Sequence, residues 1–237
     1  MLIYGRNPVL EAIKEGQAVR VWVAKGVEHW LIRELERLGA DYELLPRIEL
    51  DQRVRTTQHQ GLVAEVAELK FSHPEAPFRL AEERGEEILL VLLDGVTDPR
   101  NYGAIIRTAL ALGAHGVVTE ERRSAPLSPL VLKASAGMAH KLPLVQIKNL
   151  PRYMEELKER GVWIYGASGR GQKDLAGLDY KRPLAIVIGS EGEGMRRLVQ
   201  QRCDETARIP LSPGAESLNA SVALAIFLYQ ARLGRVH

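Results

Sequence analysis

The stretch LAIVIGSEGEGM, Leu184 to Met195, decides the fold class. Its first half is apolar, with no polar residue at alternate positions. A strand solvated on one face alternates and a strand covered on both faces does not, so this one belongs inside a parallel sheet. It runs into a turn in which Gly189, Gly192 and Gly194 surround Glu191 and Glu193. The pattern recurs upstream, where ILLVLL (Ile88 to Leu93) runs into DGVTDPRNYGAIIRTA (Asp94 to Ala109). Outward from these two segments, strands are predicted at 88–93, 115–119, 143–147, 162–166, 184–188 and 205–209. Helices are predicted at 101–112, 129–136, 150–160, 193–200 and 217–233. This alternation implies an α/β fold, a mostly parallel sheet covered by helices. Ligands of such sheets sit beyond the carboxyl ends of the strands. The residues following 93, 166, 188 and 209 are therefore the places to look.

Before this unit lies KFSHPEAPFRLAEERGEE, Lys70 to Glu87, with two prolines, many charges and little periodicity. It reads as a linker. The expected organisation is a small α/β unit at 1–70, a linker at 71–87 and a larger unit at 88–237. In the first unit Asn7 and Pro8 are placed as cap and first residue of a short helix. A strand at 19–24, a helix at 28–38, a strand at 42–45, a helix at 47–54 and a strand at 62–67 follow.

The 237 residues include 32 basic and 30 acidic side chains and a single cysteine, Cys203. One cysteine allows neither an intramolecular disulfide nor a cysteine-based metal cluster, and it suits a reducing compartment; a cytoplasmic protein is expected. No apolar run approaches the roughly 18 residues that cross a bilayer. The first residues, with Arg6 and Glu11, do not read as a secretory signal. His29, His59, His73, His115, His140 and His237 show no ligand spacing and most read as surface or incidental, so no metal site is expected. Neither an H-E-x-x-H helix nor a G-x-S-x-G elbow occurs. Residues 1–85 carry 12 basic and 14 acidic side chains, and residues 86–237 carry 20 and 16. The basic excess belongs to the larger unit, with local pairs at Arg122–Arg123 and Lys181–Arg182, as a polyanionic partner requires.

Three of the four strand ends carry unusual sequence. In the first, Asn101 opens a helix and Arg107 lies on it; a solvated arginine and a functional one both fit. In the second, Gly192 and Gly194 are placed at a helix start, flanking Glu193. The spacing is neither a dinucleotide fingerprint nor a P-loop. Two acids repel phosphate, so they suit a cationic or ribose-bearing ligand, or simply a tight turn at a helix dipole. In the third, RIPLSPGAESLNASVALAIFLYQ (Arg208 to Gln230), Ser217 and Asn219 open a long apolar helix. An N-cap explains Ser217 alone, but not the clustering of Ser217, Asn219 and Ser221 beside a glycine loop. GASGRG (Gly166 to Gly171) is a further glycine-rich turn. Cys203 reads as an inert helix-end thiol, Trp22, Trp30 and Trp163 as core residues, and His59 and Gln60 as closing a turn.

Together, N-x-G-x-x-x-R-x-A (Asn101 to Ala109), I-G-S-E-G-E-G (Ile188 to Gly194) and I-P-L-S-P-G-A-E-S-L-N-A-S (Ile209 to Ser221) resemble the three motifs of the SpoU (TrmH-like) RNA ribose methyltransferases of the SPOUT superfamily. KASAGM, Lys133 to Met138, looks like the family as well. GRNPVLEA (Gly5 to Ala12) and HQG (His59 to Gly61) are similar to the RNA-binding N-terminal domain of the branch that modifies a guanosine of 23S rRNA.

The resemblance implies an α/β domain with a deep trefoil knot, preceded by a small α/β RNA-binding domain. It implies a homodimer with its active site at the subunit interface. The implied cofactor is S-adenosylmethionine, lined by Gly189, Ile209, Leu218 and Ala167. The implied reaction is methylation of a ribose 2′-hydroxyl, with Arg107 at the hydroxyl, Asn101 and Glu191 fixing the arginine, and Ser217 and Asn219 orienting the ribose or the motif loop. Arginine ordinarily stays protonated, so two roles stay open: a transiently neutral base, or a charged group stabilising the developing alkoxide. Arg6, Arg53 and Arg55 are the candidates for RNA contact in the first unit. Transfer RNA is the alternative substrate, and a catalytically silent RNA-binding module the alternative class.

Overall fold

A computed structural model describes residues 1–66 and 68–236, without the side chain of Val236. Ala67, the last residue of a predicted strand, and His237 lie outside the described residues. The first unit contains β1 (Leu2–Tyr4), α1 (Arg6–Lys14), β2 (Ala18–Ala24), α2 (His29–Arg37), β3 (Tyr42–Leu45), α3 (Arg47–Val54) and β4 (Leu62–Val66). Its strands form a sheet of order β1-β4-β2-β3, with β4 antiparallel to both its neighbours and β2 parallel to β3. One face carries Trp22, Ala24, Leu45 and Val63 against Leu50 of α3. The other packs Ile3, Val21, Val23 and Ala64 against Val9 of α1 and Leu31 and Leu35 of α2. Asn7 does not cap α1: the helix begins at Arg6, with Gly5 at its N-cap position at φ 97°.

The larger unit contains β5 (Leu89–Asp94), α5 (Pro99–Ala111), β6 (Gly116–Glu120), α6 (Pro129–Ala134), β7 (Leu144–Ile147), α7 (Leu150–Glu159), β8 (Trp163–Ala167), β9 (Lys173–Asp174), β10 (Leu184–Gly189), α8 (Arg197–Arg202), β11 (Glu205–Arg208) and α9 (Ala220–Val236), preceded by α4 (Ala76–Arg84). The seven strands are all parallel, in the order β7-β6-β5-β10-β8-β11-β9. The period of two sorts each strand onto two cores. Leu89, Val91 and Leu93 face α5, α6 and α9. Leu90 and Leu92 face α4, α7 and α8. Both faces are covered at the centre of the sheet, which is why β10 is apolar throughout and β5 is apolar up to Asp94 at its end.

Three segments depart from the sequence reading. Within the stretch read as a linker, residues 76–84 form α4, whose Ala81 and flanking Phe78 pack against the sheet. Its prolines misled: Pro77 sits in the first turn, where a helix needs no N–H. Gly116 is held so close to it that a Cβ there would lie 2.6 Å from Pro77 Cγ. Second, Gly192 and Gly194 open no helix. Their φ values of 85° and 71° are left-handed, and they build a turn closed by Ser190 and Gly194, with α8 starting only at Arg197. Third, α9 begins at Ala220 rather than 217. Trp30 and Trp163 are exposed, against their reading as core residues; His115 and His59 are fully buried, and His59 closes a turn as read, its Nδ1 accepting from Gly61 N at 3.0 Å.

Candidate functional site

The site is assembled at the carboxyl edge of the seven-stranded sheet. β5 ends at Asp94, and Asp98 then caps α5 by accepting from Arg100 N at 2.9 Å. This places Asn101 on the first turn of α5. Behind it, α5 crosses α6 so tightly that a Cβ on Gly103 would lie 2.4 Å from Ala134 Cβ.

Asn219 joins three distant segments. Its Nδ2 donates to Asn101 Oδ1 at 3.0 Å and to Glu191 Oε1. Its Oδ1 accepts from Ser221 N at 2.9 Å and Ser221 Oγ at 2.6 Å. The bond from Ser221 N makes Asn219, not Ser217, the cap of α9. Both ends of the Asn219 amide are thus committed, and its rotamer is set by partners more than 25 residues away in sequence. Ser217 lies exposed in the preceding loop, among residues 211–219 that are all exposed.

Arg107 is not brought to this cluster. Six residues after Asn101 on α5, it sits about 120° around the helix and about 9 Å along it. It is exposed and, among the described residues, makes no side-chain hydrogen bond or ion pair. Within one chain Asn101 and Glu191 bond to Asn219 and not to Arg107.

The four positions expected to line a cofactor fall together for a topological reason. Ala167, Gly189 and Ile209 stand at or just beyond the ends of β8, β10 and β11, which are neighbours in the order β10-β8-β11. Gly189 is buried against the returning 190–195 turn, and a Cβ there would meet Gly194 C at 2.1 Å. Ile209 is half-buried and Leu218 exposed. The 168–172 loop presses on the end of β11, where a Cβ on Gly171 would meet Ala207 C at 2.3 Å. The result is a surface of main chain and small or aliphatic side chains.

One set of residues escaped the sequence reading. Asp94, its side chain fully buried, accepts from Arg196 N at 2.7 Å and Arg196 Nε at 2.5 Å. Arg196 Nη2 reaches Glu120 at 2.8 Å, and the other Glu120 oxygen accepts from Leu150 N at 3.1 Å. Arg196 therefore ties the Glu191 turn to the ends of β5 and β6. The signal was a carboxylate closing an all-apolar strand, which demands a buried partner. Beside this network, Thr97, Arg122, Arg123, Ser190 and Glu193 line a cleft of about 380 Å³. Burial pushes the Cys203 thiol up to about 12, so it stays protonated. No group of three or more histidine, cysteine or acidic side chains suited to a metal occurs among the described residues, and no described helix is long and apolar enough to cross a membrane.

Comparison with known proteins agrees with this architecture. Residues 88–229 match the SpoU rRNA Methylase family, and residues 2–72 match the family of RNA 2′-O ribose methyltransferase substrate-binding domains. YacO of Bacillus subtilis (strain 168) is 40% identical over 233 residues, covering 96% of this chain and 93% of that one. The 23S rRNA (guanosine-2′-O-)-methyltransferase RlmB of Shewanella oneidensis is 38% identical over 243 residues, covering 97% and 96%. The solved structure of the SpoU methyltransferase AviRb from Streptomyces viridochromogenes, in complex with AdoMet, superposes with a TM-score of 0.77 at 26% identity, covering 100% of this chain and 90% of that one. With both matched regions present in order along one chain, and the motif residues converging at the carboxyl edge of its sheet, the protein belongs to the SpoU methyltransferase family.

Proposed function

We propose that this chain methylates the ribose 2′-hydroxyl of a guanosine in 23S rRNA, using S-adenosylmethionine and working as a homodimer. The observation that carries the reading is the Asn219 amide bonded at once to Asn101 and Glu191. Three motifs meet there in a polar cluster beside a main-chain cradle.

The cradle suits the cofactor. Ile209 and Leu218 offer aliphatic walls for an adenine, Ala167 and Gly189 leave room for backbone to approach it, and the main chain supplies donors and acceptors. When bound, S-adenosylmethionine supplies an electrophilic methyl group on a sulfonium. The chain's own residues do the rest. Glu191 and Asn219, locked by their mutual bond, fix the motif loops on either side of the ribose, and Ser217 lies within the same exposed loop to orient it. Arg107, protonated, stabilises the developing oxyanion while the hydroxyl proton passes to solvent water.

In this reading Arg107, apart from its own chain's cluster, serves the cluster of a second copy. α9 carries a matching apolar stripe for such a partner, with Val222, Tyr229 and Leu233 exposed on one face. The deep knot implied by the family resemblance would hold the loops of the cradle together.

The test is incubation of unmodified rRNA and transfer RNA with methyl-labelled cofactor, followed by nucleoside mapping. Label in 2′-O-methylguanosine of 23S rRNA is expected. Label confined to transfer RNA replaces the substrate. No label, with no cofactor binding at millimolar concentration, leaves a silent RNA-binding module.

A further inference from the structure

The first unit is acidic on average, yet one of its surfaces gathers cations. A cleft of about 390 Å³ opens between the start of α1, the β2–α2 turn and the start of α3, lined by Arg6, Lys25, Arg47, Gln60 and Glu28. The cleft is built rather than incidental. Gly61 is packed so closely on the β2–α2 turn that a Cβ there would lie 2.5 Å from Val27 Cγ1. Arg6 is held from two sides: its backbone N donates to Gln60 Oε1 at 3.1 Å, and its guanidinium pairs with Glu28. That guanidinium lies 5.2 Å from the ring centroid of Trp30, whose side chain is 49% exposed. Lys25 and Arg47 are exposed and, among the described residues, make no side-chain hydrogen bond or ion pair.

Each part has a reason to meet unpaired RNA. Glu28 is satisfied by Arg6, so the net charge left facing the cleft is that of Lys25 and Arg47, which suits phosphates. An exposed tryptophan with an ordered guanidinium beside it offers planar surface at little further cost in side-chain entropy. Such platforms take bases from single strands and loops. A duplex would hide its bases from them.

We propose that this cleft docks a single-stranded segment of the RNA substrate, with Lys25 and Arg47 neutralising neighbouring phosphates and the Arg6–Trp30 platform stacking an unpaired base. The inference rests on the methyltransferase reading above and assigns its substrate contact in the first unit to these residues. It keeps Arg6 in that role and leaves out Arg53. Arg53 instead lies 4.4 Å from the ring centroid of Trp22, itself buried.

The experiment measures binding of an unmodified 23S rRNA transcript across a salt series. Lys25→Ala/Arg47→Ala is expected to flatten the slope of log affinity against log salt by about 1.4, at about 0.7 per phosphate on a single strand. Trp30→Ala is expected to weaken binding about 5- to 100-fold, the worth of one stacked base. Trp30→Phe, which keeps a ring face, should restore most of it. S-adenosylmethionine affinity should not move in any of them, and this reads out an intact fold. Wild-type affinity and slope in the double variant would overturn the inference while leaving the enzyme reading standing. Equal losses in Trp30→Phe and Trp30→Ala would remove the stacking platform. A wild-type protein that binds the transcript but methylates no RNA would sink the enzyme reading instead.

Discussion

The two edges of the seven-stranded sheet are built from the same strands and serve opposite ends. At the amino edge, polar groups are consumed. Arg235, near the end of α9, donates to the carbonyls of Tyr180 (3.0 Å), Glu87 (2.6 Å), Ile88 (2.9 Å) and Arg182 (2.8 Å). His115 accepts from Leu89 N at 3.0 Å and turns its other nitrogen to Glu86 at 3.0 Å. At the carboxyl edge, Glu191, Ser217 and Asn219 remain exposed, and Asn219 bonds across to Asn101 on α5 and to Glu191 in its turn. Behind the cluster, buried Asp94 and Glu120 are paired with the half-buried Arg196. Stability is concentrated where the chain needs no ligand, and exposed polar groups where a ligand would complete them.

The largest effect that could break this division is at Arg107. Arg107→Ala should lower methyl transfer about 10³-fold, within the range of a donor that stabilises a developing oxyanion, with the unfolding midpoint unchanged because the exposed side chain makes no hydrogen bond or ion pair among the described residues. Mixing Arg107→Ala and Asn219→Asp subunits sharpens it. If the site is shared between two copies, the mixed dimer keeps one intact site, and activity should recover to about a quarter of wild type. If Arg107 acts within its own chain, no site is intact and mixing recovers nothing.

The amino edge should respond in the opposite way. Arg235→Ala strips four carbonyls of a charged donor and should cost about 3 kcal/mol in denaturant unfolding. S-adenosylmethionine affinity, measured well below the new midpoint, should stay within twofold. A variant that unfolded normally but lost the cofactor would show that the edges are not separate.

The apolar strands were legible because burial on both faces leaves a continuous apolar run, as in Leu89–Leu93 and Leu184–Ile188. Short elements were not. β1 spans three residues and β9 two, too few for any period to register. α4 hid behind prolines that a first turn tolerates. At the site, the motifs located Asn101, Glu191 and Asn219, but no spacing states that the Asn219 amide bonds to both of the others. The helix at Gly192 was misread because glycine before an apolar segment marks a helix start and a tight turn alike, and only φ separates them. Trp30 was misassigned because size and hydrophobicity do not say which face of α2 is buried: Leu31 and Leu35 take the core and Trp30 is left exposed.

A smaller effect is expected at Asn219, where the two edges' tasks overlap in one side chain. Asn219→Ala removes the cap of α9, worth about 1 kcal/mol, and also the bonds to Asn101 and Glu191. Asn219→Asp keeps the oxygen that accepts from Ser221 and loses the donor. Unfolding free energy should fall only in the alanine variant, whereas methyl transfer should fall about 10²-fold in both. Equal stability loss in the two would mean that the cap is not what Asn219 contributes to α9.

The smallest effect lies at the amino edge and depends on pH. Burial lowers the pKa of His115, partly offset by Glu86. Its Nδ1 must stay unprotonated to accept from Leu89 N. Protonation therefore favours the unfolded chain. The contribution of His115 is fully present above the unfolded value of about 6.5 and is lost as pH falls from there toward the lower folded value. The loss cannot exceed about 1.4 kcal/mol per pH unit for one proton. Burial lowers His140 in the same direction, so wild type alone does not isolate the group. The stability difference between wild type and His115→Gln should. It is expected to shrink steadily between pH 7 and pH 5 in urea titrations; a difference independent of pH would mean that folding leaves the His115 pKa unshifted, and one that grew as pH fell would mean that the folded protein holds the proton.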